Sequence, residues 1–325
     1  MPIPTVKLAG KDGLMQFSWV PDPVGDEVAF ECMLAALKAG SNTWSTATFY
    51  GMPPNPWANL ELIGRFFKKY PEYIGKVQLV VKGGLDNMMP TNDKEVNRRL
   101  LQKTQELLGE NVPIDVYSPA RLLPGQDVIE YLRPFDELRK EGLFGALGLS
   151  EVNANTCRTA AQHYEIATVE IEISLWNYDQ PTRDVIEWSK ETKVPIYGYS
   201  PLGRGFLTRK YKKPEDIPEG NFLKDIPRFQ GEAFYHNLKL VDVLDEMANE
   251  KGLTTAQLAI AWVLALSPYN IPIPASTNPK RVTQNAEAGN IKLSDDDLKR
   301  INDILAKFEP KGGRYPKEQS GVLML

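Results

Sequence analysis

The feature that most constrains this chain is a rhythm. Short apolar stretches alternate with amphipathic ones, and each strand-helix pair takes about thirty residues, the signature of a parallel sheet joined by crossover helices. Strands are expected at Asn42 to Ala47, Val77 to Val81, Ile114 to Tyr117, Phe144 to Leu149, Thr168 to Ile173, Pro195 to Tyr199 and Ile271 to Pro274. Val6 to Phe17 carries Gly10 and Gly13 and reads as a hairpin or a first short strand. Helical spacing marks Asp26 to Ala39, Leu60 to Tyr70, Asp93 to Leu108, Asp127 to Lys140, Asn155 to His163 and Arg183 to Thr192. Helices resume at Asn237 to Glu250 and Thr254 to Ala265. They recur at Pro279 to Glu287 and Ser294 to Ala306, with cap signals in Asn278 and Ser294. Strand runs such as QLVV and PIYGYS lack polar alternation, as expected when both faces are buried.

Counting Gly13 to Phe17 as the first strand gives eight strand-helix units. They predict a (β/α)8 barrel over residues 1–325, with an N-terminal hairpin and extra C-terminal helices. A doubly wound sheet would want a glycine-rich fingerprint after its first strand, and neither GxGxxG nor GxxxxGKS/T occurs. From Pro201 to Phe234 the rhythm breaks. That insert after the seventh strand is too long for a plain connection and reads as a functional loop. The tail from Pro310 on is irregular.

Net charge is −4, which argues against nucleic acid as a main partner. Cys32 and Cys157 sit in helix-like segments and read as buried thiols of a reducing compartment. With only His163 and His236, no multi-histidine metal site is expected. No apolar run reaches membrane-spanning length, and MPIPTVKLAG does not read as a signal peptide. The expectation is a cytoplasmic protein. Oligomeric state is not legible.

In a barrel, chemistry gathers at the C-terminal ends of the strands. The residues expected there are Ser45, Tyr50, Lys82, Ala120, Ser150, Glu170, Tyr199 and Ser276. A free tyrosine, pKa about 10, is a poor acid at neutral pH. A neighbouring ammonium stabilises its phenolate and brings it toward working range. Lys82, before a Gly-Gly turn, is the obvious cation. A phosphate would find donors at Ser276, Asn278 and Arg281, at the start of a helix. Backbone N–H groups around Ser200, Leu202 and Gly203 can wrap a pyrophosphate, with Gly203 and Gly205 permitting close approach.

YSPLGRGFLT (199–208) and IPIPASTNPKRVTQNAEA (271–288) resemble the two cofactor segments of the aldo-keto reductases. LGLSE (147–151) and VVKGG (80–84) stand between the barrel ends in the matching order. NTWSTATFYG (42–51), VKGG, YSPAR and GLM (13–15) most resemble the pyridoxal reductase branch. The resemblance implies NADPH-dependent reduction of an aldehyde, with pyridoxal to pyridoxine as the leading pair. A broad aldehyde or ketone reductase and a nicotinamide-binding sensor without turnover are the alternatives. It implies Tyr50 as acid with Lys82 beside it. It also puts Ser45 where the family has aspartate and Ala120 where it has histidine, so Ser45 brings no counter-charge and Tyr50 is expected to be the more acidified. NADP(H) would lie along Ser200, Pro201, Leu202, Gly203, Gly205, Ser276, Asn278 and Arg281, with Gln284 and Asn285 at the adenine. Tyr199 would stack on the nicotinamide, and Ser150 and Glu170 would meet its carboxamide. Glu170 reads equally as a buried, paired strand acid. Trp19, Phe49, Trp57, Arg121, Trp176 and Phe229 read as substrate walls or as plain packing.

Overall fold

The computed structural model describes residues 11–316 and 321–325. Eight strands form one sheet whose order follows the chain: β1 (Lys11–Gly13), β2 (Thr43–Ala47), β3 (Gln78–Gly83), β4 (Val116–Pro119), β5 (Ala146–Ser150), β6 (Ile166–Glu172), β7 (Ile196–Tyr199) and β8 (Asn270–Ile273). Every neighbouring pair in it is parallel. The Gly13 N–H donates to the Pro274 carbonyl at 3.3 Å, so the eighth strand meets the first and the sheet curls into the (β/α)8 barrel that the rhythm implies. The surrounding helices are α1 (Asp26–Lys38), α2 (Ala58–Lys69), α3 (Lys94–Leu108), α4 (Val128–Lys140), α5 (Ala154–His163), α6 (Gln180–Thr192), α7 (Gly231–Glu250), α8 (Thr255–Leu266), α9 (Pro279–Glu287) and α10 (Asp295–Lys307).

Two apolar layers explain why the strands lack polar alternation. Outward residues such as Leu79, Val81, Leu149 and Ile171 join Ile63, Phe66, Leu132 and Phe135 of the helices in one large core. Inward residues Val80, Val116, Tyr197, Ile271 and Ile273 fill the barrel lumen. Successive side chains of a strand point to opposite faces, and here both faces are dry. Moving up the lumen, the inward positions change character. On β3, Val80 is followed by Lys82, and β6 carries Glu170 and then Glu172.

The first strand ends where it was expected to begin. Residues 11–13 pair with β2, and Met15–Phe17 is a single 3-10 turn that carries the chain on toward Ser18 and Trp19 beside Tyr50. Residues 6–10 of the expected hairpin lie outside the described residues. The insert after β7 holds four 3-10 turns, Gly203–Thr208, Pro214–Asp216, Phe222–Asp225 and Pro227–Phe229. Helix α7 starts at Gly231, six residues before the expected Asn237, because Phe234 seats its first turn edge-on against Phe206 at 5.0 Å. A small antiparallel ribbon, Leu85–Asp86 with Met89–Pro90, follows β3. No helix among the described residues is long and apolar enough to cross a membrane.

Candidate active site

Lys82 is seated by the glycines that follow it. A Cβ on Gly83 would fall 1.9 Å from the Tyr117 hydroxyl, so only glycine lets β3 end against β4. The Gly84 N–H then donates to that hydroxyl at 3.2 Å. Held there, the Lys82 ammonium points into the lumen. It donates to Ser45 Oγ at 2.7 Å and lies 2.8 Å from Glu170 Oε1. Ser45 Oγ in turn donates to Glu170 Oε2 at 2.8 Å. The result is a closed triangle from β2, β3 and β6, with all three residues no more than 5% exposed.

Tyr50 lies over this triangle, three residues past β2. Its loop is fixed by a buried chain of hydrogen bonds. The Thr46 hydroxyl donates to Asn59 Oδ1 at 2.6 Å, the Asn59 amide donates to Ser18 Oγ at 2.7 Å, and Ser18 donates to the Tyr50 carbonyl at 2.6 Å. The Lys82 ammonium sits 5.0 Å from the centre of the Tyr50 ring. Trp19 stacks on that ring at 5.4 Å, Phe49 meets both edge-on, and Phe222 of the insert stacks on Trp19 at 6.4 Å. Trp19 and Phe49 therefore do form an aromatic wall beside Tyr50, and Phe222, which sequence reasoning missed, extends it.

The electrostatics correct one expectation. Burial pushes the Tyr50 phenol up. Lys82 opposes this, Glu170 and Tyr315 add to it, and the net shift is upward. Burial works against the Lys82 charge, but Glu170 and then Tyr50 outweigh it, and its pKa is raised. Tyr50 is thus not the more acidified residue expected from the loss of an aspartate at Ser45. The carboxylate missing from β2 is present on β6.

A second buried cluster lies beside the first, built on the tail that sequence reading left as irregular. Arg314 donates to Glu151 Oε2 at 2.8 Å and to Glu172 Oε2 at 3.1 Å. Arg204 reaches Glu172 at 3.4 Å and the Arg314 carbonyl at 3.0 Å. The Tyr199 hydroxyl donates to Glu151 at 2.9 Å and lies 3.0 Å from the Tyr315 hydroxyl. Burial and then Glu151 and Tyr315 raise the Tyr199 phenol well above its usual range. The tail crosses the mouth closely: a Cβ on Gly312, at φ +82°, would fall 2.6 Å from the Arg228 backbone nitrogen.

The other expected residues separate into those at the mouth and those away from it. Ala120 offers only a buried methyl group. Arg121 lies half-buried at the mouth, donating to the Ala120 carbonyl at 2.6 Å, with its guanidinium 5.9 Å from the Tyr315 ring. Ser150 is buried at the end of β5. Both oxygens of Glu170 are engaged by Lys82 and Ser45, so it is the paired strand acid of the two readings. Trp176 and Phe229 are buried around Phe206, at 4.3 and 5.7 Å, where the insert folds onto the barrel, which is the packing reading of the two. Trp57 packs half-buried against the outer core at the start of α2. The loop from Ser200 through Pro201, Leu202 and Gly203 to Gly205 is tightly coiled, with left-handed backbone at Ser200, Gly203, Arg204 and Gly205. At α9, Asn278 Oδ1 accepts from the Arg281 N–H at 3.1 Å and Ser276 Oγ accepts from the Asn278 N–H at 3.2 Å. Lys280, Arg281 and Gln284 are exposed there and Asn285 is buried.

Glu172, Arg204, Arg314 and Tyr315 were not anticipated. The sequence VEIEI holds a faint signal for Glu172, two acids one residue apart in an apolar strand, hence on one face. Nothing local marks Arg314.

The family profile described as Aldo/keto reductase family matches residues 12–306. An aldo-keto reductase of Schizosaccharomyces pombe whose name carries NADP(+) is 32% identical, covering 97% of this chain and 95% of that protein. A probable pyridoxal reductase of the same organism is 31% identical, with 96% of each covered. Among solved structures, a glycerol dehydrogenase of Gluconobacter oxydans superposes with a TM-score of 0.80 at 21% identity, covering 95% of each chain, a likeness of fold.

Proposed function

The chain belongs to the aldo/keto reductase family, and from that premise we propose that it reduces an aldehyde to an alcohol with NADPH, pyridoxal to pyridoxine being the leading pair. The observation that carries this reading is Tyr50, walled by Trp19 and Phe49, lying over a buried Lys82 whose charge is compensated. The donors at α9 suit a 2′-phosphate: a serine hydroxyl, an asparagine amide, two exposed cations and a helix N-terminus. Ser276, Asn278, Lys280 and Arg281 would hold it. Gln284 and Asn285 would meet the adenine, and the loop from Ser200 to Gly205 the pyrophosphate. Tyr199 and Ser150 would meet the nicotinamide.

The hydride for the carbonyl carbon would come from NADPH held by these residues. Tyr50, kept protonated by its raised pKa, gives its proton to the carbonyl oxygen as negative charge develops there. Lys82 stabilises the phenolate left behind. The aromatic wall of Trp19 and Phe49 beside Tyr50 would suit an aldehyde that carries an apolar ring. NADPH absorbance, followed with pyridoxal, nitrobenzaldehyde and a small dicarbonyl, tests the reading. Pyridoxal is expected to drive oxidation, with Tyr50→Phe slowing it about 10²–10⁴-fold. Turnover of the other two but not pyridoxal would replace the substrate by a broader aldehyde class. NADPH binding with no turnover of any would overturn catalysis in favour of a sensor.

A further inference from the structure

We propose that Glu170 is a positioning residue for this reduction: from β6 it reaches across the lumen, holds Lys82 as an aimed ammonium, and through it fixes the protonation of Tyr50. The inference rests on the functional reading above and deepens it.

Three observations carry it. The Lys82–Glu170 contact, 2.8 Å, joins strands that are three apart in the barrel order, so it is a cross-lumen pair and not a neighbour pair of the sheet. Ser45, on a third strand, bonds both members and leaves the ammonium one free direction, toward Tyr50. A buried ion pair contributes little net stability compared with an apolar filling of the same volume. The neighbouring lumen positions are in fact filled by Val80, Val116 and Ile273, so the barrel interior does not need a charge pair to pack. The pair sits only at the level where Tyr50 needs a cation.

The groups that face this unit are few. Tyr50 is met by Lys82 and Glu170 from the lumen and by Tyr315 from the tail, and its phenol acts on Arg121 of the loop after β4. Lys82 is met by Glu170 and Tyr50. Tyr197 on β7 feels Glu170 from below. Of these, Glu170 is the anion in direct contact with Lys82. Its removal leaves the buried ammonium without a counter-ion, and the coupled Lys82–Tyr50 pair gives up its first proton at lower pH.

The test moves the carboxylate back across the barrel. In Glu170→Gln, kcat for NADPH oxidation is expected to fall about tenfold or more with the KM for NADPH little changed, and the basic limb of the pH profile to move down by about one unit or more. In the double variant Ser45→Asp/Glu170→Gln, both are expected to return toward wild type. A second readout needs no substrate. The carbon-13 signal of the lysine side chain, identified by its loss in Lys82→Met, should titrate at lower pH in Glu170→Gln and recover in the double variant. An unmoved Lys82 titration in Glu170→Gln, or a double variant no closer to wild type than the single one, overturns the proposal. If Glu170→Gln does not fold, the double variant decides alone: wild-type titration and turnover support the role, a depressed titration refutes it. Failure of every aldehyde would remove the functional reading, while the Lys82 titration would still report whether Glu170 sets the charge.

Discussion

Two buried ionic clusters share one barrel mouth, and they are assembled from different parts of the chain. The Lys82, Ser45 and Glu170 triangle is drawn only from strands of the barrel wall. The Arg314, Arg204, Glu151 and Glu172 cluster joins strand ends to the long insert and to the C-terminal tail. Strand β6 serves both, with Glu170 in one and Glu172 two residues on in the other. The first has one cation, one anion and one hydroxyl around a tyrosine, a set in which changing any member alters a proton's position. The second has two acids and two guanidiniums, a set whose members fasten segments to one another. Equal burial therefore does not mean equal role. What differs is whether the partners are already fixed by the sheet or are brought in by a segment that the pair itself must hold.

That contrast can be broken in graded steps. The largest effect is expected from Lys82→Met, which should lower turnover about 10²–10⁴-fold in the NADPH assay. Next is Arg314→Ala, which leaves Glu151 with no bonded cation among the described residues and should cost about 3–5 kcal/mol in urea unfolding, while the Lys82 titration stays in place. If Arg314→Ala instead kept full stability and moved the Lys82 titration, the two clusters would share one role.

The third step uses pH. Burial pushes Glu151 up, but Arg314 and Arg121 outweigh it, and its folded pKa lies below the usual value. Such a group adds stability above its unfolded pKa, about 4.3, and loses it as pH falls through the folded value. The urea midpoint of the wild type should therefore drop as pH is lowered from about 5, and Arg314→Ala should flatten that drop. The smallest effect is expected for Ser45→Ala. It removes the bridging hydroxyl but keeps the direct Lys82–Glu170 contact, so turnover should fall less than tenfold and stability by about 1 kcal/mol.

The barrel was legible because burial on both strand faces leaves long apolar runs, and the helices between them keep their period. Tyr50 and Lys82 were legible because their local motifs place them at strand ends. Glu170 was readable as a paired strand acid, but its partners were not. Its contact with Ser45 spans 125 positions and depends on curvature that no local pattern encodes. Trp176 and Phe229 could be read either way, because an aromatic residue in a loop looks the same whether it lines a pocket or anchors the insert, and here both pack on Phe206. Arg314 was invisible for a related reason. The tail has no periodicity, and its place is set by two acids from distant strands.

The cross-lumen bond also bears on when the chain acquires its chemistry. Ser45, Tyr50 and Lys82 all belong to the first third of the sequence, and Glu170 belongs to the second half. A nascent chain or a fragment ending before β6 would carry the tyrosine and the lysine without the anion that joins them. On the proposed mechanism the unit of Tyr50, Lys82 and Glu170 is therefore completed late in biosynthesis, and splitting the gene between β4 and β5 should yield two inert pieces that regain a raised Lys82 titration only on recombination.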